Sequence, residues 1–207
     1  MQINPEGRAV QGLSSFLTFV ALNIVYLVSC IPVVTIGAAT SALYEVTIRY
    51  SDDESGRPLK DYFPAFARNF RRATLLALFL LVPLVMLVFS AVFWAANDNP
   101  LAIAAVIACG IAAVWVFAAF LYAMALVAVY DTSVRRTLKN ALLLPAAEFM
   151  HTFGIVLIPV ALTCITILFP MFAIIIGTIG LSFGAYLSAF LFRRVFERYP
   201  APQPPLD

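Results

Sequence analysis

Glu45 and Arg49 are the residues whose types and spacing most clearly allow chemistry. Glu45 is the only acidic residue inside a segment that is apolar enough to be predicted as a membrane span. An ionisable side chain at the bilayer centre costs about 2.5–3.5 kcal/mol on insertion scales and therefore suggests a function. Arg49 follows four residues later, at the spacing of an ion pair along a helix. Two interpretations stay open: a structural ion pair, or a carboxylate that handles a proton or a solute.

Two further polar residues, Asn23 and Tyr26, lie one turn apart in the preceding apolar segment. Such groups can line a polar pocket, or they can form hydrogen bonds between helices, worth about 0.6 kcal/mol each. Together with Glu45 and Arg49 they form the predicted intramembrane polar site. His151, the sole histidine, follows Glu148 by three residues, a spacing that suits an interfacial hydrogen bond or a pH switch.

No pattern in the sequence predicts catalysis. The chain contains no G-x-x-x-x-G-K phosphate loop, no H-E-x-x-H, no G-x-S-x-G and no dinucleotide fingerprint. Cys30, Cys109 and Cys164 are odd in number and too far apart for a short-spaced metal site. We therefore predict that the protein is not an enzyme and needs no cofactor or metal.

The elements that position these residues are predicted to be membrane helices. Of the 207 residues, 63% are hydrophobic and 12% are charged, against about 45–50% and 25% in soluble domains. A bilayer crossing takes about 20 apolar residues. The uncharged runs, divided at prolines and turn residues, predict an all-α polytopic bundle in a single domain. Its six spans are predicted at residues 13–31, 34–50, 73–96, 101–130, 152–169 and 171–192.

Other segments are predicted to lie outside the bilayer core. The second span is short, and a re-entrant segment is its alternative. Amphipathic stretches at 58–72 and 133–147 are typical of interfacial helices. The proline-rich tail at 200–207 is predicted to be disordered.

The first interfacial helix is the predicted docking element. Phe66 and Phe70 lie on its apolar face, whereas Arg68, Arg71 and Arg72 lie on the polar side. Anionic lipid would attract arginine and lysine alike. A protein partner with carboxylates would prefer the planar guanidinium. Both interpretations stay open.

Orientation follows from the basic residues, which remain in cytoplasmic segments. In the six-span arrangement all 13 lysines and arginines fall on one side, which predicts cytoplasmic amino and carboxyl termini in a plasma membrane. The lipid bilayer is thus the first expected partner. The net charge of +2 gives no reason to expect a nucleic-acid partner.

Small residues predict where helices approach closely. One face of the last span carries four of them: Gly177, Gly180, Gly184 and Ser188. Such a face allows close packing within one chain or in a homodimer.

The stretch CIPVVTIGAATSALY at 30–44, followed by the arginine-rich amphipathic helix at 63–76, resembles the YesL family of bacterial integral membrane proteins. The resemblance implies a small multi-span protein of the bacterial plasma membrane, encoded near carbohydrate-uptake systems, with no established site residue. Three functions are compatible with it. The chain is expected to be an accessory subunit of a carbohydrate uptake system such as an ATP-driven importer. The alternatives are an autonomous secondary transporter and a membrane sensor or scaffold.

Overall fold

The computed structural model describes residues 5–53, 57–97 and 99–199, and within them the chain is helical without any strand. The predicted tail at 200–207 lies outside the described residues. The α-helices are α1 (Pro5–Cys30), α2 (Ile36–Asp53), α3 (Pro58–Ala95), α4 (Pro100–Val129), α5 (Val134–Ala147), α6 (Phe149–Leu168), α7 (Ala173–Ile175) and α8 (Leu181–Arg198). Short 3₁₀ turns lie at Val33–Thr35 and Pro170–Phe172, and a π-helical turn lies at Ile176–Gly180.

Five segments of the described chain are long and apolar enough to cross a membrane. They are Gly12–Cys30, Pro58–Ala95, Pro100–Val129, Phe149–Leu168 and Pro170–Arg198. Their side chains are mostly exposed aliphatic and aromatic groups, which water would disfavour and lipid would not. The prediction of an all-α, polytopic helical bundle is confirmed.

The second helix, α2, is interior rather than lipid-facing. It runs antiparallel to α1, because the Tyr26 and Thr40 hydroxyls lie 3.2 Å apart near one end and those of Ser15 and Tyr50 lie 3.2 Å apart near the other. Its 18 residues form one continuous helix of about 27 Å. α2 is not among the five segments above, so its crossing of the bilayer, with a re-entrant segment as the alternative, stays a prediction. Neighbouring helices cover it, so it can be less apolar than a lipid-facing span.

The third helix differs from the prediction of an interfacial helix at 58–72 followed by a separate span at 73–96. In the structure, α3 is one continuous helix of 38 residues. The reason is that its inward face continues in phase across the expected boundary. Tyr62, Ala65, Asn69, Ala73 and Leu76 recur at three- and four-residue spacing, and all are buried.

The last span also differs from the prediction of a regular helix at 171–192. It begins as a 3₁₀ turn, passes through the π-helical turn and becomes α8, which continues to Arg198. Glycine weakens regular helix by about 1 kcal/mol, and the π-turn contains Gly177 and Gly180. The carboxyl-terminal extension is held by two arginines: Arg193 donates to the Ser51 carbonyl of α2, and Arg198 donates to Glu148, which lies between α5 and α6.

The core is concentrated in one half of the bundle. Residues 118–127 of α4 are all buried, whereas Ala102 is the one buried residue that α4 contributes nearer its amino terminus. Close packing of α2 on α3 depends on Gly37: a methyl group there would lie 2.5 Å from the Ala73 carbonyl oxygen and 2.6 Å from the Ala77 Cβ. The other half of the α3–α4 pair exposes aliphatic side chains on its outer surface.

Charged residues gather at the end of the bundle next to this core, which we call the basic end. It comprises the carboxyl ends of α2, α4 and α8 and the amino ends of α3, α5 and α6. Three contacts tie these ends together: Arg72 with Asp131, Arg193 with the Ser51 carbonyl, and Arg198 with Glu148. Polar contacts therefore connect the ends of these helices in one layer at the basic end of the bundle.

Candidate functional site

A polar cluster in the bundle interior surrounds Glu45, where α2 meets α3. The Glu45 side chain is only 5% exposed. Its Oε1 accepts hydrogen bonds from Arg49 Nη2, at 2.7 Å, and from Arg68 Nη2. Its Oε2 accepts one from Asn69 Nδ2 at 2.8 Å. Both carboxylate oxygens are thus occupied by donors.

This arrangement favours the structural interpretation of Glu45. A buried carboxylate is tolerated when ion pairs and hydrogen bonds replace its hydration. Arg49 was recognisable from its i,i+4 spacing. Arg68 and Asn69 could not be recognised, since they approach from another helix 23 and 24 residues further along the chain. The sequence signal that was available was the amphipathic period of residues 58–72.

The structure separates the other two members of the predicted polar site. Asn23 is fully buried and faces the π-helical turn: its Nδ2 donates to the Gly177 carbonyl at 2.6 Å, and its Oδ1 accepts from the Ser182 amide at 2.8 Å. Tyr26 instead lies beside Thr40 of α2. Asn23, Tyr26 and Glu45 therefore contact different partners, and the described contacts do not join them into one pocket.

The bonds of Asn23 have a clear physical role. A π-turn interrupts the regular ladder of the helix and leaves backbone groups needing partners, which is costly in an apolar interior. Asn23 satisfies one carbonyl and one amide at this interruption, and the Ser182 hydroxyl donates back to the Phe19 carbonyl of α1 at 2.8 Å. The broken last span is thus fixed to α1 by polar contacts.

The predicted small-residue face has mixed surroundings. Gly184 packs within the chain, since a methyl group there would lie 3.0 Å from Leu162 and 3.2 Å from Ile158 of α6. Ser188 is buried and donates to the Gly184 carbonyl of its own helix. A methyl group at Gly180 would meet its neighbour Ile176 of the same turn, and Gly177 has open space beside it.

The predicted docking helix forms the amino-terminal part of α3, and two of its three arginines are engaged inside the chain. Arg68 contacts Glu45. Arg72 pairs with Asp131 and donates to the Tyr130 and Thr132 carbonyls at 2.9 and 2.6 Å. Arg71 is exposed, with no hydrogen bond or ion pair to the described residues.

The aromatic members of this helix lie on a different side from the arginines. Phe66 is half-buried and packs between Tyr62 and Phe70, with ring centroids 6.3 and 5.7 Å away. Phe63 is 58% exposed and Phe70 is 40% exposed. Leu59, Phe63, Phe66 and Phe70 recur at helical spacing, and we call this set the aromatic stripe.

A second buried carboxylate, Glu148, joins three elements at the basic end. It lies between α5 and α6 and accepts bonds from Arg198 Nη1 at 3.0 Å and His151 Nδ1 at 2.9 Å. Burial of the carboxylate opposes its ionisation, but the bonds from Arg198 and His151 outweigh burial and lower the pKa of Glu148. Sequence spacing indicated His151; only the folded chain brings Arg198 to this group.

A cavity of about 360 Å³ lies near Glu148, between the ends of α4, α5 and α8. Leu126, Leu144 and Phe196 contribute apolar groups to its lining, and Tyr130 and Asn140 contribute polar ones. In the described part of the chain no group of three or more metal-ligating side chains is found.

Fold and contacts together define the class: this is a multi-pass α-helical membrane protein whose polar groups are concentrated at one end. Residues 19–91 match the model of a family described as protein of unknown function, DUF624, which is the YesL-type family. The resemblance to the YesL family is confirmed over that segment. Comparison with curated proteins and with solved structures gives no match.

Proposed function

We propose that this protein is a non-catalytic accessory subunit of a carbohydrate uptake system in a bacterial plasma membrane, with its basic end and both termini in the cytoplasm. The positive-inside preference supports the orientation, because lysines and arginines gather at one end of the bundle. The YesL resemblance supports the association with carbohydrate uptake. The aromatic stripe at the basic end supports a role that depends on a protein partner.

The observation that carries the docking role is the exposure of Phe63 and Phe70 in the charged part of α3. This part precedes Ala73, where the long uncharged stretch of the helix begins. Aromatic side chains, phenylalanine included, are enriched in protein interfaces relative to the rest of the surface. Phe66 packs between Tyr62 and Phe70 on a helix that continues into the bundle, which supports a well-ordered surface.

Copurification tests the proposal. The tagged protein is extracted in mild detergent from cells grown on polysaccharide, and bound proteins are identified by mass spectrometry. Subunits of a carbohydrate importer should copurify with the wild type, and the double variant Phe63→Ala/Phe70→Ala should recover at least tenfold less of them. The matched control is Phe79→Ala/Phe89→Ala, which removes two exposed rings from the apolar part of the same helix. Recovery equal to that of the control would refute docking through the aromatic stripe.

One observation favours a second candidate, a secondary transporter. The last span is interrupted by the 3₁₀ and π-helical turns, and Asn23 contacts its backbone there. Interrupted spans form the substrate sites of many transporters. Solute uptake into proteoliposomes without ATP, abolished by Asn23→Leu, would support this candidate over the accessory role.

A further inference from the structure

A groove of about 630 Å³ opens at the basic end between α3 and the start of α5. Arg68, Arg71 and Arg72 line one wall, and the chain from Asp131 to Val134 lines the other. It lies on the side of α3 away from the aromatic stripe. The groove is therefore separate from the docking surface proposed above.

Positive charge in this groove exceeds its internal neutralisation. Asp131 pairs with Arg72, and Arg68 shares Glu45 with Arg49, so that two arginines are partly compensated. Arg71 has no such partner among the described residues. Guanidinium groups bind phosphate oxygens through paired hydrogen bonds, and several converging on one groove are suited to an anion of that geometry.

The start of α5 adds to the same preference. Val134 begins this 14-residue helix, and the side chain of the preceding Ser133 forms no capping bond. The first amides of a helix have no partner within it and carry the positive end of the helix dipole. Arg135 and Arg136 follow in the first turn and are exposed. These groups reinforce the field that the arginines of α3 create.

The groove continues directly into a lipid-facing surface. Arg68, Arg71, Leu75, Leu78 and Val82 recur along α3 at alternating three- and four-residue spacing and so form one stripe. Leu75 lines the groove itself, and Leu78, one turn further, is 59% exposed. An anion held by the arginines would thus have an apolar surface on its membrane side.

We propose that this groove binds the phosphate headgroup of an anionic phospholipid, whose acyl chain lies along Leu75, Leu78 and Val82. A free phosphate would use the arginines but not the apolar stripe. A headgroup on an acyl chain uses both. The site would fix the depth of α3 in the cytoplasmic leaflet and is independent of any importer partner.

The test uses the full chain in detergent with phosphatidylglycerol or phosphatidylcholine added, and native mass spectrometry counts the lipids retained. Arg71→Gln removes the uncompensated arginine without breaking an internal bond. Arg194→Gln is the matched control, an exposed arginine of the basic end that lies outside the groove. Wild type and Arg194→Gln should retain phosphatidylglycerol over phosphatidylcholine, and Arg71→Gln should bind phosphatidylglycerol about fivefold more weakly.

Two outcomes would overturn the proposal. Equal loss of phosphatidylglycerol in Arg71→Gln and Arg194→Gln would mean that charge at the basic end acts diffusely, without a groove site. Equal retention of phosphatidylglycerol and phosphatidylcholine, together with displacement of both by millimolar inorganic phosphate, would identify a free-anion site instead. Neither outcome bears on importer copurification, so this proposal and the accessory function are tested separately.

Discussion

At the scale of single residues, the two buried carboxylates differ in how they are compensated. Glu45 lies inside the bundle and shares its oxygens among two arginines and one amide. Glu148 lies at the junction of α5 and α6 and binds the carboxyl-terminal Arg198. Each carboxylate connects helices that are distant in sequence, so each is expected to contribute to stability.

Replacing Glu45 with glutamine should destabilise the protein by about 1.5–3 kcal/mol, the range for hydrogen bonds to charged groups. Arg49 and Arg68 are more than half exposed, so water can solvate them after the change and keeps the loss moderate. Thermal unfolding in detergent measures the effect. Asp61→Asn is the control, because its contact with Arg49 is 3.9 Å long and more exposed, and its loss should be small.

If Glu45 instead handles a proton or a solute, the glutamine variant would lose function in cells while its melting temperature stays at the wild-type value. That result would contradict the structural interpretation.

Glu148 should make stability depend on acid. Its folded-state pKa is lower than the ordinary value of about 4.5, so its ionised form stabilises the fold above that pH. This contribution is lost as pH falls below about 4.5 and through the lowered pKa. When the pH is lowered from 7 to 3, the melting temperature of Glu148→Gln should therefore fall by less than that of the wild type. An equal loss would exclude the contribution, and Glu197→Gln, at an exposed carboxylate nearby, should behave like the wild type.

At the scale of elements, the contact between α2 and α3 combines the polar Glu45 cluster with the close approach at Gly37. Glycine allows the α3 backbone to lie against α2 where any Cβ would collide with a carbonyl oxygen. Close backbone approach at small residues is a common way for membrane helices to associate. The position of Arg68 and Asn69 around Glu45 therefore depends on a glycine two turns away.

Gly37→Ala should destabilise the protein by about 1–3 kcal/mol, as overpacking does in a tight interior. Gly110→Ala is the control on α4, where an added methyl group meets open space. Because alanine favours a helix more than glycine does, this control should leave the stability unchanged or raise it slightly. The two melting temperatures are compared in the same detergent. Similar values would show that α2 and α3 separate easily and that the close approach is not required.

At the scale of the whole molecule, the placement of the charged groups defines two unlike ends. The basic end contains the Glu148 junction, the arginine groove and the aromatic stripe. The opposite end of the α3–α4 pair exposes aliphatic groups and carries Asn97 and Asn99 at its tip. Such asymmetry is expected of a membrane protein with cytoplasmic termini.

Cysteine labelling of intact cells tests this orientation, with the three native cysteines replaced by alanine. Cysteine at Asn99, in the α3–α4 turn, should react with an impermeant maleimide added outside. Cysteine at Ser55, Asn140 or Ala201 should react only after the cells are permeabilised. Asn140 is used because it is exposed, whereas the nearby Thr137 is buried. External labelling at Ser55 or Asn140 would contradict a cytoplasmic basic end.

The sequence by itself determined the class of fold. Long uncharged runs need either lipid or a large buried core around them. This composition has too few polar residues to cover such a core, which leaves lipid. It also indicated the Glu45–Arg49 pair and the Glu148–His151 pair, since both are set by helical spacing of three or four residues. Local periodicity fixed these features, and they needed no knowledge of which helices are neighbours.

Tertiary structure decided the partners that come from elsewhere in the chain. Arg68 and Asn69 reach Glu45, Arg198 reaches Glu148, and Asn23 contacts the π-turn because helices far apart in sequence pack together. It also made α3 continuous through Ala73, where a change in composition had suggested a boundary. A composition change marks where lipid contact begins. The buried face of α3 continues across that boundary, because packing against neighbouring helices determines which residues are buried.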